Sequence, residues 1–294
     1  MTRKRLNLII PIIISCLFNL SASYALDWKS LHDKADKTTL QEALLATQKN
    51  SGSIENLYLL GLVYLNLHKD IEAKLTFENI LAKTPGIIEA DWGRAEVLRR
   101  QHKLDESKEL LRKVIGANPG FLPTYITLAY IRYTQLDFNE SMRLASRVLK
   151  EGRDNVCLSN YVRALLLIGG TKGILAHYGG PVSKLVNGTR AFSYLKKARM
   201  LQPDSASVML GLGSFYLLAP NIAGGDLEKA GVYLKRSIEI DPLFADTYVR
   251  LAQVYKAKGD NAGYLKYLEK ALKIDPLNEL AEDVKSGKCK FICR

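Results

Sequence analysis

Apolar residues recur at three- and four-residue spacing over most of the chain, in paired runs separated by short polar hinges. Between Ile54 and Pro85, Leu57, Leu60, Gly61 and Tyr64 share one face of a predicted helix, and Ala73, Phe77 and Ile80 share a face of a second. That spacing is the period of an amphipathic α-helix. The small Gly61 and Ala73 would let the two backbones approach, with Tyr64 and Phe77 filling the space beside them. Prolines punctuate the pattern. Pro85 and Pro119 lie 34 residues apart, as do Pro242 and Pro276, and Pro203 joins the set once extra residues are allowed for. Each ends a helix, because proline has no N–H to donate and its ring clashes with the preceding turn.

Large and small residues alternating at 34-residue spacing resemble the tetratricopeptide repeat. The resemblance implies an all-α fold, a right-handed superhelix of about six helical hairpins with a capping helix at each end. The register divides the chain into repeats 54–87, 88–121, 122–155, 156–205, 206–244 and 245–278, preceded by a capping segment over 26–53 and followed by a cap and basic tail over 279–294. Thr38 and Gln41 form a candidate capping box for the first cap.

Two repeats depart from the beat. Gly61 and Ala73, the small residues of one hairpin, are 12 apart, whereas the corresponding pair in the fourth repeat reads as Arg163 and Ala191, 28 apart. This predicts about sixteen residues inserted in the turn between the helices, within 169–188 (GGTKGILAHYGGPVSKLVNG). The fifth repeat carries a shorter insertion over 218–226. Equivalent turns lie along one edge of a solenoid, so the two insertions are expected to be neighbours. The longer one is not hydrophilic: Ile174, Leu175, Tyr178, Val182, Leu185 and Val186 need a place to bury.

Charge sharpens this picture. The formal net charge of +12 is concentrated, since 155–203 holds seven basic and no acidic residues and 285–294 adds four more basic ones. The expected interaction edge therefore carries Lys172, His177, Tyr178, Lys184 and Arg190, suited to an anionic partner such as an acidic protein, a lipid headgroup or a small anion. Residues 1–25 read as a secretory signal peptide, with a basic start, an apolar run and small residues before Leu26. Export to a periplasm follows, with lipidation at Cys16 as the alternative. Cys289 and Cys293 could close a small loop by a disulfide in that oxidising space, while Cys157 reads as a small buried residue.

The resemblance also assigns a concave groove. Carried onto this sequence, its lining includes Tyr58, Leu62, Asn66, Trp92, Glu96, Arg99, Arg100, Tyr130, Tyr133 and Asn160, a composition common at binding surfaces. Tyr58 and Leu62 stand where a peptide-carboxylate clamp would want Lys and Asn, which argues against that mode. The four histidines have no metal-ligand spacing, and no nucleophile elbow or phosphate loop is present. No catalytic residue, cofactor or metal is expected, and export disfavours nucleic acid. The function expected is a non-catalytic periplasmic scaffold that binds a protein partner through the groove, the insertion edge or both. Residues 213–230, GSFYLLAPNIAGGDLEKA, resemble the repeat-containing T component of TRAP-type solute transporters. That resemblance implies the alternative, a ligand-binding accessory of solute transport. A membrane-surface adaptor on anionic lipid is the third reading.

Overall fold

The computed structural model describes residues 26–293; the leader and Cys16 lie outside them. Sixteen α-helices and one 3-10 turn make up the described residues, with no strand among them. Two helices come first, α1 (Trp28–Ala35) and α2 (Leu40–Lys49). The first three hairpins pair α3 (Ile54–Asn66) with α4 (Asp70–Lys83), α5 (Ile88–Arg100) with α6 (Leu104–Ala117), and α7 (Pro123–Thr134) with α8 (Phe138–Lys150). A single turn, α9 (Gly152–Asn155), leads to the long α10 (Leu158–Tyr178) and α11 (Pro181–Leu201). The last hairpins pair α12 (Ala206–Leu218) with α13 (Leu227–Ile240), and α14 (Ala245–Ala257) with α15 (Asn261–Ile274), before α16 (Glu279–Ser286).

Close backbone approach is what the small residues provide. The Phe77 ring is fully buried between α3 and α5, and a Cβ on Gly61 or Gly93 would come within 2.6 or 2.5 Å of it. Local chemistry sets the ends of the helices. Asp137, Asp226 and Asp260 accept backbone N–H groups at the starts of α8, α13 and α15, and Pro123 and Pro181 open α7 and α11. The capping box of α2 is formed by Thr39 and Glu42, one residue later than the Thr38–Gln41 pair expected. Thr38 instead turns its hydroxyl back onto the Lys34 carbonyl. Cys157 is buried, which raises its pKa to about 11. Cys289 and Cys293 are joined by a disulfide in the tail.

The fourth hairpin departs from the expected turn insertion. Its extra residues are helix: α10 and α11 have 21 residues each, against 12 to 14 in the helices of the other hairpins. The small residue facing Ala191 is Gly169, whose Cβ would lie 3.4 Å from the Ala191 carbonyl oxygen and 3.2 Å from Tyr194. Gly213 meets the Ala230 carbonyl and Leu234 in the same way in the fifth hairpin. The pairing is therefore Gly169 with Ala191, and Arg163 is released from the packing role that the 34-residue register assigned it. Continuous i to i−4 bonding satisfies the backbone of the inserted residues, which a long apolar loop could not do.

The array curves back on itself. At the turn of the first hairpin, His68 Nε2 lies 2.9 Å from Asp241 Oδ2, in the turn before α14. At the turn of the second, His102 meets Asp275 and Glu279, each at 3.0 Å. These contacts border a partly open central chamber of about 2200 Å³.

Candidate functional site

Both ends of the described residues fold into the concave face. Helix α1 places Leu31 and His32 there among buried neighbours. His32 Nε2 lies 2.9 Å from the Tyr58 hydroxyl, and its ring packs against Trp92 with centroids 5.0 Å apart. Burial, aided by Arg163, holds the His32 pKa down to about 3, so the ring is neutral. From the other end, Arg250 donates to the carbonyls of Phe291 and Ile292, and Asp283 accepts the backbone N–H groups of Lys290 and Phe291. Phe291 then stacks obliquely on Tyr133, and the Tyr178 hydroxyl donates to the Cys289 carbonyl.

This packing corrects part of the expected groove. Tyr58 is fully buried and lies outside the chamber lining, whereas Trp92 and Asn160 are largely buried and only edge the chamber. Tyr58 is covered by α1, and Trp92 spends its indole N–H on Thr127. Tyr133 packs against Phe291 of the tail and still lines the chamber. Asn66 is exposed and donates to the Ala35 carbonyl at the end of α1. The concave positions follow the repeat register, but amphipathic segments of the same chain reach them first.

What remains open is charged at one end and apolar at the other. Glu96 forms a two-pronged ion pair with Arg99, at 2.8 and 3.2 Å, and accepts the Thr127 hydroxyl at 2.9 Å. Burial alone would push its pKa up, but Arg99, Arg163 and Arg100 outweigh this and hold it well below the carboxylate range. Arg99 lies 4.5 Å over the Tyr130 ring. Arg100 is spent on the Leu65 carbonyl and Asp70. Arg99 and Arg100 therefore act first as internal cations. Arg163, which sequence reasoning passed over as a partner-facing residue, projects into the chamber. Its signal was visible: a guanidinium at a register position that is small in the first three repeats.

The expected insertion edge divides in two. His177 and Lys184 line the chamber, together with Ala219, Pro220 and Ile222 of the fifth repeat, so the two insertions are neighbours. Lys172 and Arg190 instead line a separate shallow cleft against α8, with Asn139 and Met142. Burial, reinforced by Arg190, lowers the Lys172 pKa. Between the two faces, the tip of the hairpin is apolar and exposed, with Tyr178 60%, Val182 77% and Leu185 70% accessible, and Ile222 of the fifth repeat is fully so. Among the described residues, no group of three or more His, Cys, Asp or Glu is arranged to hold a metal ion. No described helix is long and apolar enough to cross a membrane.

Three solved structures share the architecture. A tetratricopeptide repeat protein from Parabacteroides merdae superposes with a TM-score of 0.51 at 14% identity, covering 88% of this chain and 97% of its own. A chain of the APC/C hetero-tetramer Cut9–Hcn1 gives 0.55 at 17% identity over 90% of this chain and 49% of its own. The IFIT1 monomeric mutant solved with Gppp-AAAA gives 0.55 at 17% identity, over 84% of this chain and 57% of its own. At these identities the likeness is one of fold. No curated protein matches in sequence. The tetratricopeptide-repeat family model matches residues 245–276, the α14–α15 hairpin. The chain is thus an α-helical solenoid of the tetratricopeptide-repeat type, with its sixth hairpin recognisable as such in sequence.

Proposed function

We propose that the protein is a non-catalytic, exported interaction scaffold whose protein partner docks on the tip of the α10–α11 hairpin. One observation carries this: Val182, Leu185 and Val186 follow i, i+3, i+4 spacing on α11 and stand exposed, with no acidic residue from 155 to 203. An apolar stripe with cationic flanks suits an amphipathic helix with acidic flanks. The same charge disfavours a second copy of this chain, whose tip would be equally basic. The tip supports this reading better than the groove, because α1 and the tail occupy much of the concave face. The leader-like residues 1–25 support export, with lipidation at Cys16 as the alternative.

The test is cross-linking capture from the native envelope, comparing the wild-type protein with Val182→Asp/Leu185→Asp. A partner captured by the wild type and lost from the variant, with unchanged melting, is the expected result. Capture unaffected by the substitution would return the site to the open part of the groove. Salt-sensitive binding to anionic vesicles in place of a protein would favour the membrane-adaptor reading. The chamber favours a second reading, a ligand-binding accessory, consistent with the likeness of residues 213–230 to transporter T components.

A further inference from the structure

The chamber wall formed by α10 changes polarity in order along one face. Ser159, Arg163, Leu166, Leu167, Gly170 and Gly173 all line it, at spacings that keep them on one side of the helix. Arg163 to Gly173 spans about 15 Å at the helical rise.

Arg163 is the unusual member. Its side chain is one-third exposed, and its nearest acidic partner is Glu96, with Nη2 to Oε1 at 3.6 Å, too long for a hydrogen bond. Glu96 has little left to offer, because both its oxygens are engaged by Arg99 and one also accepts from Thr127. Asp70 serves Arg100. Asp36 is turned toward Ser159 and Asn66, and burial raises its pKa. His32 is neutral and Tyr130 faces Arg99. A guanidinium has five donors, and here none makes a hydrogen bond to the described residues. Burial lowers the Arg163 pKa; Glu96 offsets part of this, and Arg99 and Arg100 add to it, so the charge is costly to hold and a further anion would favour it.

Beyond Arg163 the strip turns apolar; Tyr133 borders it at Gly170, and it is open at Gly173. Leu166 and Leu167 follow it, and a Cβ at Gly173 would meet no atom within 4 Å. Phe192, Phe215 and Leu218 line the same chamber. A guanidinium without a hydrogen bond, which shares its one nearby carboxylate with Arg99 and Arg100, stands at the head of an apolar strip and matches a monoanion with an extended apolar body. A compact polyanion would leave the apolar strip unused, and a neutral hydrocarbon would leave the guanidinium unpaired.

We propose that the chamber binds an aliphatic carboxylic acid, with its carboxylate on Arg163 and its chain over Leu166, Leu167 and the Gly170–Gly173 stretch. This site lies inside the solenoid and stands independently of partner docking on the hairpin tip. A planar, two-pronged pairing with the guanidinium fixes the head group. Displacing water from the leucines contributes the remainder of the affinity.

Titration calorimetry of the full mature chain with decanoate tests this, with decyltrimethylammonium as the probe of the same tail and opposite charge. The expected result is saturable one-to-one binding of decanoate and none of decyltrimethylammonium. Arg163→Gln should weaken decanoate binding by about tenfold or more, and Arg163→Lys should restore part of it. Gly173→Phe should abolish binding by filling the strip. Its melting temperature should be retained, since the new side chain enters open space. Val182→Asp, at a tip residue that does not line the chamber, should bind decanoate as the wild type does, which separates this site from the hairpin tip. Absence of saturable binding to the wild type overturns the proposal, as does equal affinity in Arg163→Gln or equal binding of the two head groups.

Discussion

At the scale of single residues, two kinds of glycine in this solenoid predict opposite effects. Gly93 is pressed against the fully buried Phe77 ring, so Gly93→Ala should destabilise despite alanine's better helix propensity, by about 1–3 kcal/mol of overpacking. Gly173 faces open space within α10, so Gly173→Ala should stabilise by about 0.5–1 kcal/mol. Denaturant unfolding of the pair checks both signs. Glu96 is the second residue-scale case. Removing its charge leaves Arg99, Arg100 and Arg163 without their shared counter-ion, so Glu96→Gln should cost about 3–5 kcal/mol. Its folded pKa is depressed, so the stabilisation is present above the unfolded carboxylate value and declines as pH falls through the folded one. The wild-type acid unfolding transition should be correspondingly shallower in Glu96→Gln. Apolar contacts at these positions were legible in the sequence as register; the ionic network around Glu96 was not. Its members come from α5 and α10, with Thr127 from α7, and only packing brings them together.

At the scale of elements, the α10–α11 hairpin joins two regions with different duties. Its base is structural: Ile174 packs with Phe291 and Ile292 of the tail. Its tip is free, as the exposure of Val182 and Leu185 shows. Leu185→Asp should therefore change stability by no more than about 0.5 kcal/mol, whereas Ile174→Ala should cost about 2–5 kcal/mol. Thermal melting of the two variants distinguishes tip from base. Replacing the whole of 170–188 would be a blunter instrument, because it removes helix and uncovers the tail. The sequence located the departure from the repeat correctly but assigned its extra residues to a turn. Glycines at 169, 170, 173, 179 and 180 look like loop signals locally. Gly179 and Gly180 do form the turn, but Gly169, Gly170 and Gly173 are helical, and Gly169 is needed where α10 closes on α11.

At the scale of the whole molecule, closure of the chamber depends on contacts between the early and late hairpins. His102 bridges Asp275 and Glu279. Burial lowers its pKa, but Glu279 and Asp275 outweigh this and the net shift is upward. A raised folded pKa means that the protonated contact stabilises the fold fully below the unfolded histidine value of about 6.5, and that this is lost as pH rises through the folded value. Closure should accordingly be tighter at pH 6 than at pH 9. Small-angle scattering should show the radius of gyration rising over that interval in the wild type, and His102→Gln should flatten the change.

The sequence by itself determined the helical hairpins, their near-34-residue beat and the place where that beat breaks, because these rest on spacing and proline position within short stretches of chain. It also concentrated positive charge on the fourth repeat, a matter of composition alone. Only the tertiary structure decided that α1 packs on Tyr58 and Trp92 and that the disulfide-closed tail packs on Tyr133 within the concave face. It alone released Arg163 into a chamber and closed that chamber through His68 and His102. Each of these depends on the accumulated rotation from one hairpin to the next, which sets which distant residues meet and is written in no single stretch of the chain.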